Sequence, residues 1–287
     1  MAKGKRFNKN ENSKENIETK EKSKNTFKKE KNSKLSVIKI ILIIVFILCV
    51  IFSAFKVIEY VKNKKSNNDV KEIFDTTSIV EKDEKSESRI DKVKKLQEEN
   101  SDIVGWLEIP NTNISYPVLQ GKDNSYYMYH NYKKEKSNDG SLFLDKDYDF
   151  EKPSTNLLIY GHNNRGSKEM FVGLLEYKNE EFYKEHTKIR FTTEKEDAEY
   201  EIISVFLSRV YYQHEEDVFR YYYFVDAENE EEFNDFIKNC KKVTMHDIET
   251  TAEYGDSLIT LSTCEYSQED GRFAVVAKKI VEETTEE

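Results

Sequence analysis

Hydrophobic and polar positions follow different rules in successive stretches of the chain. Residues 35–58 read LSVIKIILIIVFILCVIFSAFKVI, in which only Lys39 and Lys56 carry charge. A bilayer core takes about 20 apolar residues of helix, so this run predicts one membrane-spanning helix. Both lysines sit near its ends, where their stems reach the interface. The run has no polar face, which argues against an amphipathic helix on a soluble core. The long basic segment before it and the lack of a small-x-small site after it predict a retained signal anchor rather than a cleaved signal. Leu48 stands before Cys49, where a lipoprotein signal needs a small residue. Residues 59–87 are rich in Lys, Glu, Asp, Ser and Asn with scattered apolar positions, and read as an extracellular stalk.

Ile90, Val93 and Leu96 then share one face of a short helix that stops near Asn100. After it the period shortens. Residues 105–109, 114–119, 141–144, 157–160, 189–192, 200–210, 257–261 and 273–281 are short, apolar or aromatic, and separated by Pro, Gly and Asn, as strands are. Residues 169–177 and 229–241 read as helices, the latter with Phe233, Phe236, Ile237 and Cys240 in helical phase. The expected fold is mainly β with inserted helices, an eight-stranded, mostly antiparallel barrel spanning 88–287.

Charge refines this picture. Residues 1–34 hold 12 Lys/Arg and 5 Asp/Glu and almost no large apolar side chain, so they are expected to be an unfolded, basic, cytoplasmic tail. Residues 40–287 hold 32 Lys/Arg against 50 Asp/Glu, which excludes nucleic acid as a partner. The tail next to a membrane helix suits anionic lipid. The 18 Tyr and 17 Phe imply a packed core despite a 35% charged composition.

Of the three cysteines, Cys49 lies in the apolar run and Cys240 on a core-facing helical stripe, so Cys264 alone lacks a structural reason. It ends Leu261-Ser262-Thr263-Cys264, and Arg272 opens the next apolar segment. Neighbouring strands can bring thiol and guanidinium together, favouring the thiolate and offering donors to an oxyanion. His162, in Tyr160-Gly161-His162, ends another apolar strand, where a side chain can move a proton near neutral pH. Each of these alone is as compatible with a surface residue. His130, His186, His214 and His246 stand in polar contexts and are expected at the surface, with no metal-ligand spacing. The run Asp145-Lys146-Asp147-Tyr148-Asp149 starts like a calcium loop, but Phe150 occupies the position where that loop needs Gly.

Together, Tyr160-Gly161-His162, Leu261-Ser262-Thr263-Cys264 and Arg272 before a Val-rich strand resemble the His, Cys and Arg signature of the sortases. Supporting matches are Gly105-Trp106-Leu107, Tyr116-Pro117-Val118-Leu119-Gln120-Gly121 and Gly140-Ser141-Leu142-Phe143-Leu144-Asp145. The helix before the first strand and the long segment 211–247 are similar to class B sortases. The resemblance implies a sortase barrel and a Cys transpeptidase needing neither metal nor organic cofactor, with His162, Cys264 and Arg272 catalytic. It implies substrate contacts at Asn124, Met128, Tyr160, Ser262, Thr263 and Glu265. It further implies an Asn-Pro-x-Thr-type sorting signal on surface proteins as substrate and a peptidoglycan amine as acceptor. A pilus-assembling sortase, an inactive tethered binding domain and a plain cysteine hydrolase remain as alternatives.

Overall fold

The computed structural model describes residues 11–75, 88–164 and 166–281. The chain divides into two compact units, Met1–Glu59 and Tyr60–Glu287.

Helix α1 spans Glu11–Asp75. Its stretch Ile38–Phe74 contains an 18-residue window of mean hydropathy 3.1 with none of that window buried, so it is long and apolar enough to cross a membrane. Residues 11–34 are helical, not unfolded. The tail contains no Pro, and its many Lys and Glu are good helix formers. The expected stalk is also corrected: through Asp75 it continues α1, and Val70 and Phe74, an i, i+4 pair, are 1% and 2% exposed within the second unit. Residues 1–10, 76–87 and 282–287, the rest of the expected tail and stalk and the extreme C-terminus, lie outside the described residues.

Helix α2, Arg89–Glu99, begins at Ser88, whose hydroxyl accepts from the Asp91 N–H, and buries Val93 and Leu96. Eight strands follow: β1 Ile103–Glu108, β2 Ser115–Gln120, β3 Leu142–Leu144, β4 Asn156–Tyr160, β5 Lys188–Thr192, β6 Asp197–Arg209, β7 Leu258–Cys264 and β8 Gly271–Lys279. They form a closed barrel in the order β1-β2-β3-β4-β7-β8-β6-β5, with β1 paired to β5. The pairs β2/β3 and β4/β7 are parallel and the others antiparallel. Closure leaves no strand edge for another chain to extend.

Burial on both faces explains why β4 and β7 read as continuous apolar runs rather than alternating ones. Leu157, Ile159, Ile259 and Leu261 join the barrel-interior cluster with Phe191, Val205, Phe273 and Val275. Leu158 and Leu258 point the other way, into a second cluster with Phe233, Phe236, Ile237 and Cys240 of helix α4, Glu230–Val243. That helix is capped by Asn229, carries Glu230, Glu231 and Glu232 in its first turn and Lys241 and Lys242 in its last, all favourable to its dipole. A third cluster joins Val70, Phe74, Val93 and Leu96 to Trp106, Leu119, Tyr127 and Phe143.

Between β4 and β5 lie a 3-10 segment, Met170–Lys178, and the short helix α3, Glu180–Glu185. The expected α-helix at 169–177 is interrupted by non-helical Phe171, whose N–H bonds the His162 carbonyl at 3.0 Å. His246 departs from its expected surface position: it is 8% exposed, its Nε2–H donates to the Tyr177 carbonyl at 2.6 Å, and its ring stacks on Tyr183.

Candidate active site

The parallel ladder β4/β7 and the antiparallel ladder β7/β8 end at the same rim of the barrel. Tyr160 pairs with Ser262, and Cys264 stands directly opposite Arg272. Opposed residues on adjacent strands hold their Cβ atoms about 4.5–5.5 Å apart, so the ladder itself sets thiol beside guanidinium.

His162 stands two residues beyond the end of β4. The Gly161 N–H donates to the Ser262 carbonyl at 3.1 Å, and the Thr263 hydroxyl donates to the Gly161 carbonyl at 2.7 Å. A Cβ on Gly161 would meet Phe171 Cδ2 at 2.6 Å, so the close approach at this turn needs glycine. Asn163 Nδ2 donates to the Cys264 carbonyl at 2.9 Å, tying the His-bearing loop to the Cys-bearing strand. The His162 Nε2–H donates to the Met128 carbonyl at 2.8 Å. A carbonyl oxygen only accepts, so Nε2 holds a proton and Nδ1 is the nitrogen free to give or take one.

These side chains share one cleft of about 270 Å³, lined by Asn124, Met128, Phe143, Tyr160, Gly161, His162, Ser262, Thr263, Cys264 and Arg272. Its floor is apolar and aromatic, with polar groups grouped at the His, Cys and Arg end, as suits an extended peptide with a reacting carbonyl. A larger cavity of about 380 Å³, lined by Tyr148, Phe150, Leu157, Tyr200, Leu258 and Lys279 among others, contains none of the three.

Around the cleft, polar groups are locked by one another. Asn124 Nδ2 donates to Asp145 Oδ2 at 2.9 Å and its Oδ1 accepts from the Lys146 N–H at 2.8 Å. The Tyr160 hydroxyl donates to the same Asp145 carboxylate at 3.1 Å. Burial, with the Asp145 carboxylate beside it, pushes the Tyr160 phenol far up, so it stays a neutral donor. Ser262 is 2% exposed and its hydroxyl shares a 2.7 Å hydrogen bond with the Tyr221 hydroxyl. Burial likewise raises the Tyr221 phenol, against the opposing pull of the Ser262 hydrogen bond and the Arg272 charge. Arg272 Nη1 donates to the Gly271 carbonyl at 2.9 Å and the Asp270 carbonyl at 3.3 Å, which anchors one arm of the fork at the rim.

Of the expected substrate contacts, Asn124, Met128, Tyr160, Ser262 and Thr263 line the cleft. Glu265 does not. It is 3% exposed, pairs with Lys178 at 2.7 Å and accepts from the Ser267 N–H and hydroxyl. Burial alone would raise its carboxyl, but Lys178 and Ser267 outweigh that and hold it down at about 2. Its position next to Cys264 in sequence placed it wrongly, because a residue just past a strand end turns away with the chain.

Sequence reasoning missed Phe143, Tyr221, Asn163 and the Met128 carbonyl. Phe143 lies in a quoted motif and could have been found by strand alternation. The others are set by contacts between segments far apart in sequence.

Residues 107–280 match the family model for the sortase domain. The chain is 34% identical over 194 residues to Sortase B of Listeria monocytogenes, across 66% of this chain and 74% of that protein. It is 31% identical over 187 residues to Sortase B of Staphylococcus aureus, across 64% and 73% of the two. The solved Staphylococcus aureus sortase B–substrate complex superposes with a TM-score of 0.65 at 26% identity, covering 78% of this chain and 98% of that one. With this match over the whole barrel, the chain belongs to the sortase family, in its class B, and is a cysteine transpeptidase.

Proposed function

We propose that this transpeptidase is held in the membrane by residues 35–58, with its basic tail cytoplasmic and its barrel outside the cell, and that it joins surface proteins to peptidoglycan. The observation that carries the reading is the convergence of Cys264, Arg272 and His162 on one peptide-sized cleft. The substrate is the C-terminal sorting signal of a surface protein, of the Asn-Pro-x-Thr type, bound extended along Met128, Phe143 and Tyr160.

The Cys264 thiolate attacks the Thr carbonyl carbon, and the oxyanion that forms is stabilised by Arg272 N–H donors. His162, protonated on Nδ1, gives its proton to the departing amine as the C–N bond breaks, leaving a thioester on Cys264. An amine of a peptidoglycan precursor then attacks the thioester, passes its proton to His162 and releases the thiolate. The Staphylococcus aureus relative solved with its substrate supports a peptide in a cleft of this kind.

The test is turnover of fluorogenic Asn-Pro-x-Thr and Leu-Pro-x-Thr-Gly peptides side by side. The first is cleaved faster, Cys264→Ala abolishes cleavage of both, and Cys240→Ala, which only leaves a small cavity under α4, keeps it. Wild-type turnover by Cys264→Ala removes the nucleophile assignment, and the reverse peptide ranking removes the proposed signal.

A further inference from the structure

The barrel has a second mouth, at the end away from Cys264. Strand β7 starts at Leu258 on that mouth and ends at Cys264, about 20 Å away at about 3.3 Å per residue. The cavity of about 380 Å³ opens there, and barrel mouths are among the places where small-molecule sites of this size recur. Its walls are largely aromatic. Tyr148, Phe150 and Tyr200 line it, and the first two pack against the barrel-interior cluster to which Tyr200 belongs. Tyr200 is 2% exposed, yet its hydroxyl makes no hydrogen bond among the described residues, and neither does that of Tyr148. Burial, and after it the charges of Glu196, Asp226 and Asp149, push the Tyr148 phenol up to about 12, while burial and Glu196 raise that of Tyr200, so both stay neutral and able to donate. A buried phenol normally finds a partner. Two unspent donors in one cavity therefore call for a ligand that accepts.

Charge narrows what that ligand can be. Lys195 and Lys279 stand at the mouth together with Glu196, which pairs with Lys279. Asp226 lies close by, accepting from the N–H and hydroxyl of Thr155 on the cavity wall. An anion would meet the carboxylates of Glu196, Asp226 and Asp149, and a cation would meet the ammonium groups of Lys195 and Lys279, so the mouth favours neither sign. An uncharged sugar ring meets every condition. Its C–H faces are apolar and lie against aromatic rings, and its hydroxyl or acetamido oxygens accept from phenols while its hydroxyls donate to Glu196.

We propose that this far mouth of the barrel is a glycan site, which takes uncharged sugar rings of a polysaccharide and is separate from the peptide cleft. Binding there holds the enzyme on a polysaccharide while the opposite mouth handles peptide, and it requires no particular sorting signal.

The test is isothermal titration of the full chain, in a detergent without a sugar headgroup, with chitotetraose, an uncharged N-acetylated sugar oligomer. Wild type is expected to bind it saturably. Tyr200→Phe and Tyr148→Phe remove only a hydroxyl and are each expected to weaken binding about fivefold, the equivalent of one lost hydrogen bond. Ser257 is exposed on the cavity wall, so Ser257→Trp fills the mouth without touching the core and is expected to abolish measurable binding. Circular dichroism reports folding, and should the Trp variant not fold, the two Phe variants carry the test alone. No saturable binding of chitotetraose by wild type, or an affinity unchanged in both Phe variants, overturns the glycan site. Dodecanoate serves as the anionic alternative: if Tyr200→Phe weakens its binding and chitotetraose does not displace it, the sugar is overturned as the occupant.

Discussion

Arg272 keeps one arm of its guanidinium on the carbonyls of Gly271 and Asp270 while it faces Cys264 across the β7/β8 ladder. Two directed tasks, anchoring and donation to an oxyanion, need a planar fork, and an ammonium on a flexible stem performs one at a time. Arg272→Lys is therefore expected to stay folded by circular dichroism and to lose about 10²–10³ in turnover of a sorting peptide, as removal of an oxyanion donor does. A folded variant keeping more than about a third of wild-type turnover, a barrier change under ~1 kcal/mol, takes Arg272 out of the chemistry. Glu265 leads to the opposite kind of expectation. Its carboxyl, ordinarily near 4.5, is held down at about 2 by Lys178 and Ser267 against the effect of burial. A folded-state pKa below the unfolded one contributes stability that is full above the unfolded value and is lost as pH falls through the folded one. Glu265→Gln should therefore unfold at lower urea than wild type at pH 7, and the difference should shrink from about pH 4.5 down to about pH 2. Equal midpoints across that range would show that the Lys178 pair adds nothing to the fold.

Elements differed in how well their sequence announced them. The strands were legible because short aromatic or β-branched runs between Pro, Gly and Asn have few alternatives, and the three residues that share the cleft were legible because each stands at an end of such a run, His162 and Cys264 where one stops and Arg272 where the next begins. The C-terminal turns of α1 were not. Between Tyr60 and Asp75 the apolar positions are sparse among Lys, Asn and Asp, a composition that reads as stalk. Two of them nevertheless find a prepared surface. Phe74 stacks on Trp106 with ring centroids 4.0 Å apart and planes within 1°, and the Arg89 guanidinium lies 4.8 Å from its ring. Lys71 lies 3.9 Å over the Tyr116 ring, and Asn67 Nδ2 donates to Glu169 at 3.3 Å, a residue on the same loop as His162. Sequence periodicity reports what an element could bury, but only the partner surface decides that it does. This changes what a soluble fragment should contain. A fragment starting at Tyr60 is expected to be more stable than one starting at Ser86, and Phe74→Ala in the longer one to lower unfolding free energy by about 3–5 kcal/mol. Coincident urea midpoints for the two fragments would return residues 60–75 to the status of a tether.

For the whole molecule, the remaining question is the side of the membrane on which each unit works, and charge speaks to it. Residues 1–34 carry a net charge of +7 and residues 40–287 a net −18. Basic residues close to a first membrane helix hold that flank in the cytoplasm, whereas a long domain translocates largely regardless of its own charge. The lysines on the far flank, Lys56, Lys62, Lys64 and Lys65, pull the other way. They are fewer than the 12 basic residues before the helix, and a weaker cluster loses this competition. The proposed substrate points in the same direction, since a transpeptidase that acted on exported proteins would meet them only outside. Cys264 is a thiol paired to no other cysteine, so the barrel needs no oxidising compartment to fold and function there requires only that the thiol stay unoxidised. Protease added to intact cells stripped of their wall should therefore digest the chain beyond Ile58 and leave an N-terminal fragment holding the tail and the apolar helix. An antibody to an epitope placed at residue 1 should detect that fragment only, and the same protease after membrane permeabilisation should remove the epitope. A full-length chain surviving in intact cells, with its barrel folded and protease-sensitive once the membrane is opened, would put the barrel inside and overturn the proposed surface-protein substrate together with the topology.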